Sequence, residues 1–333
     1  MVFLDVKTDK ISRIIFQDNS FFVIILLGDQ YMQIYMCIGH AAYDITLPVE
    51  SYPIENTKVR IAHGVECGGG AAANAAYLLS KWGMKTYFVG AVGNDLYGER
   101  IKEEFRKIKT NIDYLETTDA FRTTTSYILA NSGNGSRTII VSRDKKTGVT
   151  NLEYGVKPDV ILVDGEELEA SKKVLLENPD SISVIDAGNL KPNIVELCKY
   201  VKYLVCSKDF AEEYTKEKID VDDETSLIRV YKKIKEDYQN TLIITLGKDG
   251  SFAEINGKYE LIPSLKIEKP VDSTAAGDIY HGAFTYFIGN GYDLYNSIRL
   301  ANIAGALSVK CLGGKNSMPD LDKVLEIGEE LVI

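Results

Sequence analysis

Short apolar runs alternate with helix-length segments along most of this 333-residue chain, and this alternation constrains the fold more than any other feature. Four of the runs lie at residues 160–163, 183–185, 203–206 and 242–245. Apolar strands separated by helices are typical of a parallel sheet that is covered by helices on both faces. The pattern therefore predicts an α/β fold with a mostly parallel sheet.

The first part of the chain and its C-terminal third fit the same alternation. Residues 31–38 and 86–89 are predicted strands, and residues 71–82 and 98–108 are predicted helices. Residues 276–311 are predicted to be mostly helical. We find no internal repeat and no flexible linker that would divide this pattern.

Two segments interrupt the alternation and are predicted to form a small β-flap beside the main sheet. They are residues 44–63 and residues 122–142. In the second segment, two β-rich arms flank the sequence NSGNG at residues 131–135, which is a hairpin signal. With this flap included, residues 31–333 are predicted to form one domain that follows an extension, residues 1–30, of unknown role.

Composition argues against several classes of protein. A formal net charge of −10 disfavours a nucleic-acid partner, since such binding depends on Lys and Arg. The apolar run at residues 21–27 is too short to cross a membrane, and the acidic residues before it disfavour a signal peptide. Five scattered cysteines favour reduced thiols in a cytoplasmic protein, and the three histidines show no zinc-ligand spacing.

The sharpest chemical signal is DSTAAGDIYHG at residues 272–282. The small residues at 275–277 allow a tight turn into a helix, whose first N–H groups then point outward and can bind phosphate. Asp278 follows at once and is placed to take a proton from an attacking hydroxyl group. Asp272 is a candidate metal ligand, because Mg²⁺ prefers carboxylates and water. An ordinary helix cap followed by small packing residues is an equal alternative.

A second signal, GGGAAANAA at residues 68–76, opens the first long predicted helix. Its glycines allow a ligand to approach the backbone closely, and Asn74 offers a donor and an acceptor. A dinucleotide-binding loop is the natural rival, but the G-x-G-x-x-G pattern is not met and the loop does not directly follow the first strand. Tight helix packing explains the alanines equally well.

A third and weaker signal is TLGKDG at residues 245–250, a glycine-rich turn after a predicted strand. Its hydroxyl and ammonium groups are suited to nucleotide phosphates. A plain hairpin turn is the commoner structure for such a sequence.

In this order and spacing, the three segments resemble the ribokinase-like (PfkB) family of carbohydrate kinases over about residues 36–322. Residues 68–74 and 89–98 match the family's first signature, and residues 272–282 match its second. The resemblance implies a doubly wound sheet with a β-lid over the sugar, and the lid often also serves in homodimer formation. It implies ATP and Mg²⁺ as cofactors and leaves the need for a monovalent cation open.

Carried over position by position, the resemblance also implies roles for single residues. Substrate would be bound by Asp44, Gly68, Gly69, Asn74 and Arg137. The phosphate-binding turn would comprise Ala275, Ala276 and Gly277, with Asp278 as the catalytic base. Thr245, Gly247 and Gly250 would lie at the ATP phosphates and ribose, and Asn302 and Gly314 at the adenine. The structural alternatives are a strand-end cap for Asp44, a satisfied helix amide for Asn74 and packing for Asn302.

Two positions depart from the family pattern. The second signature usually has glycine where this chain has Ala275, and the methyl group fits if φ there is negative. The family's N-x-x-E motif, associated with Mg²⁺ and phosphate, should follow the strand that ends near Cys206, but the chain has SKDF at residues 207–210. These departures leave a non-catalytic sugar- or nucleotide-binding homologue as an alternative.

Similarity within the family favours a ketose as the acceptor. The sequence NGSRTI at residues 134–139 resembles ketohexokinases, and residues 277–283 resemble sulfofructose kinases. Arg137 is suited to a substrate phosphate or sulfonate, because guanidinium binds such groups in a bidentate manner. An exposed strand arginine is the alternative for this residue. His281 is expected to pack against the sheet rather than to carry a proton.

The sequence therefore predicts a cytoplasmic sugar kinase that transfers the γ-phosphoryl group of ATP to a hydroxyl group of a small carbohydrate, a ketose such as fructose or a related sugar. A nucleoside kinase of the same family is the alternative acceptor class. An NAD-dependent oxidoreductase is disfavoured because the dinucleotide fingerprint is absent.

Overall fold

The computed structural model describes residues 14–17, 20–23, 32–61 and 63–331. The chain divides into two compact units, Met1–Met32 and Gln33–Ile333. The described part of the first unit is an antiparallel pair of short strands, β1 (Ile14–Gln17) and β2 (Ser20–Val23). The rest of the predicted N-terminal extension lies outside the described residues.

The second unit is built from strands and helices that follow the predicted alternation. Its strands are β3 (Ile34–Ile38), β4 (Ala42–Val49), β5 (Val65–Gly69), β6 (Lys85–Gly93), β7 (Asn111–Thr118), β8 (Thr124–Asn131), β9 (Arg137–Ser142), β10 (Val160–Val163), β11 (Ile182–Ala187), β12 (Tyr203–Ser207), β13 (Thr241–Thr245), β14 (Ser251–Ile255) and β15 (Lys258–Ile262). Its helices are α1 (Ala71–Lys81), α2 (Leu96–Lys107), α3 (Leu168–Glu177), α4 (Pro192–Leu197), α5 (Lys208–Thr215), α6 (Glu224–Asp237), α7 (Ala276–Gly289), α8 (Leu294–Ser308) and α9 (Leu321–Glu330).

A large central sheet has the strand order β15-β14-β13-β12-β11-β10-β3-β6-β7 within the described part of the chain. The pairs β13–β14 and β14–β15 are antiparallel, and the other neighbouring pairs are parallel. The predicted α/β fold with a mostly parallel sheet is confirmed.

Successive side chains of the central strands enter different hydrophobic cores. In β3, Tyr35 and Cys37 pack with residues of α1 and α2, whereas Met36 and Ile38 pack with residues of α3 to α6. Helices α7 and α8 pack on the same face as α1, against Val184 of β11 and its neighbours. Because a strand turns successive side chains to opposite faces, four buried apolar residues in a row require helices on both sides of the sheet.

A smaller sheet, here called the lid, has the order β5-β4-β8-β9. Strand β4 pairs with β8 in parallel and with β5 in antiparallel fashion, and β8 and β9 form the predicted hairpin. The flap predicted at residues 44–63 differs in detail, since the described residues between β4 and β5 contain no strand. The missing lid strand is β5, which ends in two glycines, and glycine weakens the strand signal.

Other boundaries differ from the predictions by a few residues. Helix α2 begins at Leu96 rather than residue 98, because the Asp95 carboxylate accepts a 2.9 Å hydrogen bond from the Gly98 N–H and caps the helix there. The first predicted strand begins at Ile34, and its predicted start, Tyr31, lies outside the described residues. Among the described helices, none is both long and apolar enough to cross a membrane.

The order of the strands creates a crevice at one edge of the central sheet. Strands β3 and β10 are parallel neighbours, and the chain continues from β3 toward β6 on one side and from β10 toward β11 on the other. Ligands of open α/β sheets bind at such a reversal, outside the carboxyl ends of the strands. The lid strand β4 follows β3 at this point.

Candidate active site

Helix α7 begins at Ala276, after a turn of unusual conformation. Ala275 precedes the helix with φ 62° and ψ 5°, which is the left-handed region, so the condition of a negative φ for its methyl group is not met. No side chain among the described residues caps this helix. The N–H groups of its first turn therefore have no partner within the helix. Gly277 is exposed, and a side chain there would meet no atom within 4 Å, so the turn borders open space.

Asp278, in the first turn of α7, is held by helix α1. Its Oδ2 accepts a 2.7 Å hydrogen bond from Nδ2 of Asn74, although the two residues are 204 positions apart. Asn74 is 1% exposed, and its Oδ1 has no hydrogen-bond partner among the described residues. A buried polar atom without a partner is costly unless a ligand or water meets it. Asn74 is therefore not the fully satisfied helix amide of the structural alternative.

Asp44 lies inside lid strand β4 and not at a strand end, so the cap alternative does not describe it. Its carboxylate lies against the Cα of Gly69, where any side chain would collide with it. Burial raises the pKa of Asp44 to about 6, a hydrogen bond with Ser126 lowers it, and the charge of Asp278 raises it further. The two carboxylates therefore lie within electrostatic range of each other, one on the lid and one on α7.

A buried ion pair lies behind Gly68, and it has no recognisable pattern in the sequence. The Gly68 N–H donates to both carboxylate oxygens of Glu104, at 3.0 and 3.1 Å, and Nζ of Lys315 lies 2.5 Å from Oε2 of Glu104. The Lys315 side chain is 5% exposed and its Nζ lies 4.9 and 5.1 Å from the rings of Tyr77 and Phe105. This network fixes the Gly68 backbone from the side away from the cleft.

Asp272 does not fit its predicted role, and Gly314 lies next to the turn before α7. Asp272 is 1% exposed, and its oxygens accept hydrogen bonds from the backbone N–H groups of Thr274, at 2.8 Å, and Gly313, at 2.9 Å. This bonding ties two loops together and is at odds with a metal-ligand role. A methyl group added at Gly314 would lie 2.9 Å from the methyl group of Ala275. Gly314 thus lies beside Ala275, and its role at the adenine stays a prediction.

Arg137 connects the lid to the turn before α7. Its guanidinium donates a 2.7 Å hydrogen bond to the hydroxyl of Ser273, and the Ser273 N–H donates to the carbonyl of Gly135 at 3.2 Å. The lid hairpin and the second signature therefore meet within one chain. Arg137 is exposed, so its other N–H groups are accessible to a ligand.

The TLGKDG segment is the turn between β13 and β14, as the hairpin alternative proposed. Gly250 has φ 105° and lies too close to the Ile262 carbonyl for any side chain. Thr245 ends β13 and donates its hydroxyl to the carbonyl of Cys206 at 3.3 Å. A side chain at Gly247 would meet no atom within 4 Å. The turn lies at the same edge of the sheet as the crevice and borders open space.

Asn302 is 4% exposed, between α8 and the β14–β15 hairpin. Its Oδ1 accepts a 2.8 Å hydrogen bond from the Ser251 hydroxyl, and its Nδ2 donates to the Ile262 carbonyl at 2.9 Å. With both ends of the amide bonded inside the protein, the packing alternative describes Asn302, and the predicted adenine contact does not fit.

Residues 207–210, which stand where the N-x-x-E motif is missing, form the capped start of helix α5. The Ser207 hydroxyl accepts a 3.0 Å hydrogen bond from the Phe210 N–H and donates to the Gly188 carbonyl at 2.7 Å. Phe210, at the place of the glutamate, is buried in the core. Across the ranges that the structure describes, no three His, Cys, Asp or Glu side chains are grouped so that they could hold a metal ion. These residues therefore do not fit a preformed Mg²⁺ site.

Asp164 joins three segments at the crevice between β3 and β10. Its carboxylate accepts hydrogen bonds from the N–H groups of His40, Ala72 and Glu166, at 2.8, 3.1 and 3.0 Å. Burial raises the pKa of Asp164 to about 7 in spite of these bonds. Sequence analysis missed this residue, although an acidic residue directly after the apolar run at 160–163 was an available signal.

The cleft brings together a carboxylate, unpaired helix N–H groups and a buried amide. Asp278 and the first turn of α7 lie beside Asn74, and Asp44 faces them from the lid. A helix N-terminus carries a partial positive charge that suits phosphate groups. A hydroxyl group placed between the lid and α7 would lie near both a base and a phosphate site, as phosphoryl transfer requires.

Comparison with known proteins gives a consistent picture. A family model described as pfkB family carbohydrate kinase matches residues 32–321. A ribokinase of Bacillus subtilis is 28% identical over 299 residues, which are 87% of this chain and 97% of the relative. A nucleoside kinase of Methanocaldococcus jannaschii is 26% identical over 303 residues, which are 87% of this chain and 95% of the relative.

A solved structure of an Arabidopsis thaliana ribokinase, complexed with ribose and ATP, has the same fold. Its TM-score is 0.75 at 23% sequence identity, and the match covers 90% of this chain and 99% of that chain.

Proposed function

Because this chain belongs to the PfkB family of carbohydrate kinases, which are ATP-dependent phosphotransferases, we propose that Asp278 is the base that activates its acceptor hydroxyl group. The observation that carries this proposal is the 2.7 Å hydrogen bond that holds Asp278 against Asn74 at the start of α7. This bond supports the proposal because it holds the carboxylate at the helix start, where phosphate is proposed to bind.

The reaction has one proton transfer and one phosphoryl transfer. The acceptor oxygen gives its proton to Asp278 and forms a bond to the γ-phosphorus, while the bond from that phosphorus to the oxygen of ADP breaks. The N–H groups of the turn Ala275, Ala276 and Gly277 stabilise the negative charge of the transferring group. Asn74 fixes the carboxylate that takes the proton.

The acceptor is proposed to lie between the lid and α1. Asp44 accepts hydrogen bonds from its hydroxyl groups, and the backbone of Gly68 and Gly69 allows a close approach. The unpartnered Oδ1 of Asn74 receives another hydroxyl group, which supports the role of this residue. Arg137 keeps free guanidinium N–H groups for an anionic substituent such as phosphate or sulfonate.

A ketose such as fructose is the proposed acceptor within the carbohydrates, on the similarity of residues 134–139 and 277–283 to ketose kinases. A nucleoside is the second candidate, and the relative from M. jannaschii that is called a nucleoside kinase favours it. Ribose belongs in the same test, because several relatives are called ribokinases.

The nucleotide is proposed to lie along the turn formed by Thr245, Gly247 and Gly250. Mg²⁺ would enter bound to the phosphates of ATP, since the described residues offer no preformed site for it. The proposed proton transfer and phosphoryl transfer are described by the residues of the protein and the two substrates alone. The lid is proposed to exclude water when it closes and to form a homodimer contact, and the proposed location is the cytoplasm.

Substitution of Asp278 tests the proposal. In Asp278→Asn the acceptor proton has no base, so kcat should fall by a factor of about 10² to 10⁴ while KM for the sugar changes little. Steady-state ADP release over a range of sugar concentrations measures both constants. Near-normal turnover in this variant would refute the assignment of the base.

A panel of acceptors separates the remaining alternatives. Fructose, fructose 6-phosphate, ribose and adenosine are each incubated with ATP, with and without K⁺, and the phosphorylated product is identified by mass spectrometry. Binding of a sugar by calorimetry without ADP release from any acceptor would favour a non-catalytic homologue. Phosphorylation of adenosine but of no sugar would make the chain a nucleoside kinase.

A further inference from the structure

His281 lies beneath the first turn of α7 and is not used by the mechanism above. It is 3% exposed and packs against the central sheet, as the sequence predicted. Its Nδ1 lies 2.7 Å from the carbonyl oxygen of Gly277 and 3.2 Å from Oδ2 of Asp186. Its Nε2 lies 3.2 Å from the carbonyl oxygen of Val205. These three neighbours of the ring are all oxygen atoms.

Such surroundings favour a proton on the ring nitrogen Nδ1. Carbonyl and carboxylate oxygens only accept hydrogen bonds, so Nδ1 must carry a proton to bond with Gly277 and Asp186. A bare Nδ1 would direct its lone pair at an oxygen lone pair in the interior, where an unmade hydrogen bond is costly. Asp186 is 8% exposed, so this contact is also buried.

The ring acts on Asp278 through the backbone. The carbonyl of Gly277 and the N–H of Asp278 belong to one planar peptide unit, so holding the oxygen fixes the direction of the N–H. That N–H belongs to the first turn of the helix, where phosphate is proposed to bind. His281 therefore anchors the peptide unit that joins the phosphate site to the base.

The ring also acts through charge. Residues 278 and 281 are three apart on one helix, which places them on the same face. Burial raises the pKa of Asp186, the charge of His281 lowers it, and the charge of Asp278 raises it, so the three groups lie within electrostatic range. From β12, Val205 packs on the α7 side of the sheet, whereas the neighbouring Cys206 lies on the other face with residues of α3 to α6.

We propose that His281, paired with Asp186, is a positioning residue that orients the peptide unit 277–278 for catalysis. This inference rests on the role proposed for Asp278.

The steady-state constants of His281→Gln test this inference. Loss of the anchor should lower kcat about tenfold, with KM for the sugar changed less than about twofold. A merely structural role would instead change kcat and KM together. A native kcat, or a KM that rises as much as kcat falls, contradicts the inference.

A second measurement uses the native protein and does not depend on how the variants fold. The chain has only three histidines, so spectra of the enzyme labelled with ¹⁵N-histidine resolve each ring. The Nδ1 of His281 should carry a proton in a hydrogen bond, whereas the ring of His40 should be neutral, because burial and the charge of Arg143 lower its pKa to about 4. A His281 ring without a proton on Nδ1 would overturn the proposal.

The two proposals fail in different ways. Turnover in Asp278→Asn would remove the proposed base, whatever His281 does. An inactive Asp278→Asn together with a native kcat in His281→Gln would leave the base in place and remove only the positioning role of His281.

Discussion

Ala275 carries a methyl group in a conformation that glycine adopts without strain. The left-handed region costs an L-residue roughly 1–2 kcal/mol. The surrounding loop holds the turn in place, since the Val271 N–H donates a 2.7 Å hydrogen bond to the Val309 carbonyl and Asp272 binds the Gly313 N–H. The turn before α7, where phosphate is proposed to bind, is therefore a place where this protein keeps local strain.

Ala275→Gly should relieve this strain and raise the free energy of unfolding by about 0.5–1 kcal/mol. Urea denaturation measures the change. Ala276→Gly is the matched control, because Ala276 has an ordinary helical φ and glycine there should lower the free energy of unfolding by up to about 1 kcal/mol. Equal destabilisation by both substitutions would show that the turn is not strained.

Asp44 should make acceptor binding depend on pH. Its pKa is raised to about 6 by burial, so the carboxylate is ionised above that pH and gains a proton below it. A protonated carboxyl group loses acceptor capacity for sugar hydroxyl groups. KM for the sugar should therefore rise several-fold as the pH falls from about 7.5 to about 5.5. In Asp44→Asn, KM should be high and nearly flat over this range, and a flat KM in the native enzyme would contradict the role of Asp44.

At the scale of elements, the pair Glu104–Lys315 joins helix α2 to the loop before α9 and to the end of β5. The pair is mostly removed from water, unlike Lys323–Glu326 on α9, whose side chains are 54% and 55% exposed. Breaking a buried pair leaves an uncompensated charge, whereas breaking an exposed pair has little effect.

Lys315→Met should lower the free energy of unfolding by about 2–3 kcal/mol, the lower end of the range for buried pairs because Glu104 is 22% exposed. Lys315→Met/Glu104→Gln should recover part of the loss. Chemical denaturation measures both, with Lys323→Met as the exposed control that should change stability by less than about 0.5 kcal/mol. A Lys315→Met variant as stable as that control would contradict the buried position of the pair.

Elements with a strong local pattern could be predicted from the sequence. The runs at 160–163 and 203–206 are apolar throughout, and β10 and β12 lie there. Strand β5 could not be predicted, because Val65–Gly69 is glycine-rich and is held in place by pairing with β4, some twenty positions earlier. Long-range pairing of this kind has no local signal.

The same limit applies to the site. The turn before α7 and the glycine segment before α1 could be identified from the sequence, because small residues at a helix start leave N–H groups exposed and let a ligand approach the backbone. Glu104 and Lys315 could not be identified, since a single charged residue has no pattern and its partners are distant in sequence. The conformation of Ala275 could not be predicted either, because the loop around it decides its φ.

For the molecule as a whole, the lid exposes apolar side chains. Ile139, Ile140 and Val141 of the edge strand β9 are 44%, 57% and 55% exposed, and Tyr127 of β8 lies opposite Ile140. An apolar surface on an edge strand is unfavourable in a lone monomer and is suited to contact with a second copy.

Ile140→Asp should therefore convert a lid-mediated dimer into a monomer, because a charge would be buried in the contact. Sedimentation velocity measures the change in mass. Leu176→Asp is the matched control, since Leu176 is equally exposed, at 56%, but lies on α3 outside the lid. A dimer that survives Ile140→Asp, or is lost equally in the control, would place the contact elsewhere.

Strand β5 of the lid and helix α1 of the main body are separated by one residue, Gly70, with φ 99°. The lid is thus joined directly to the helix that carries Asn74, and Asn74 donates a hydrogen bond to Asp278, the proposed base. A bound sugar that draws the lid toward the main body would move the start of α1, and this movement would align Asp278 with the acceptor hydroxyl group. Water is too small to draw the lid down. Hydrolysis of ATP would therefore be limited by the absence of this movement as well as by the absence of sugar contacts.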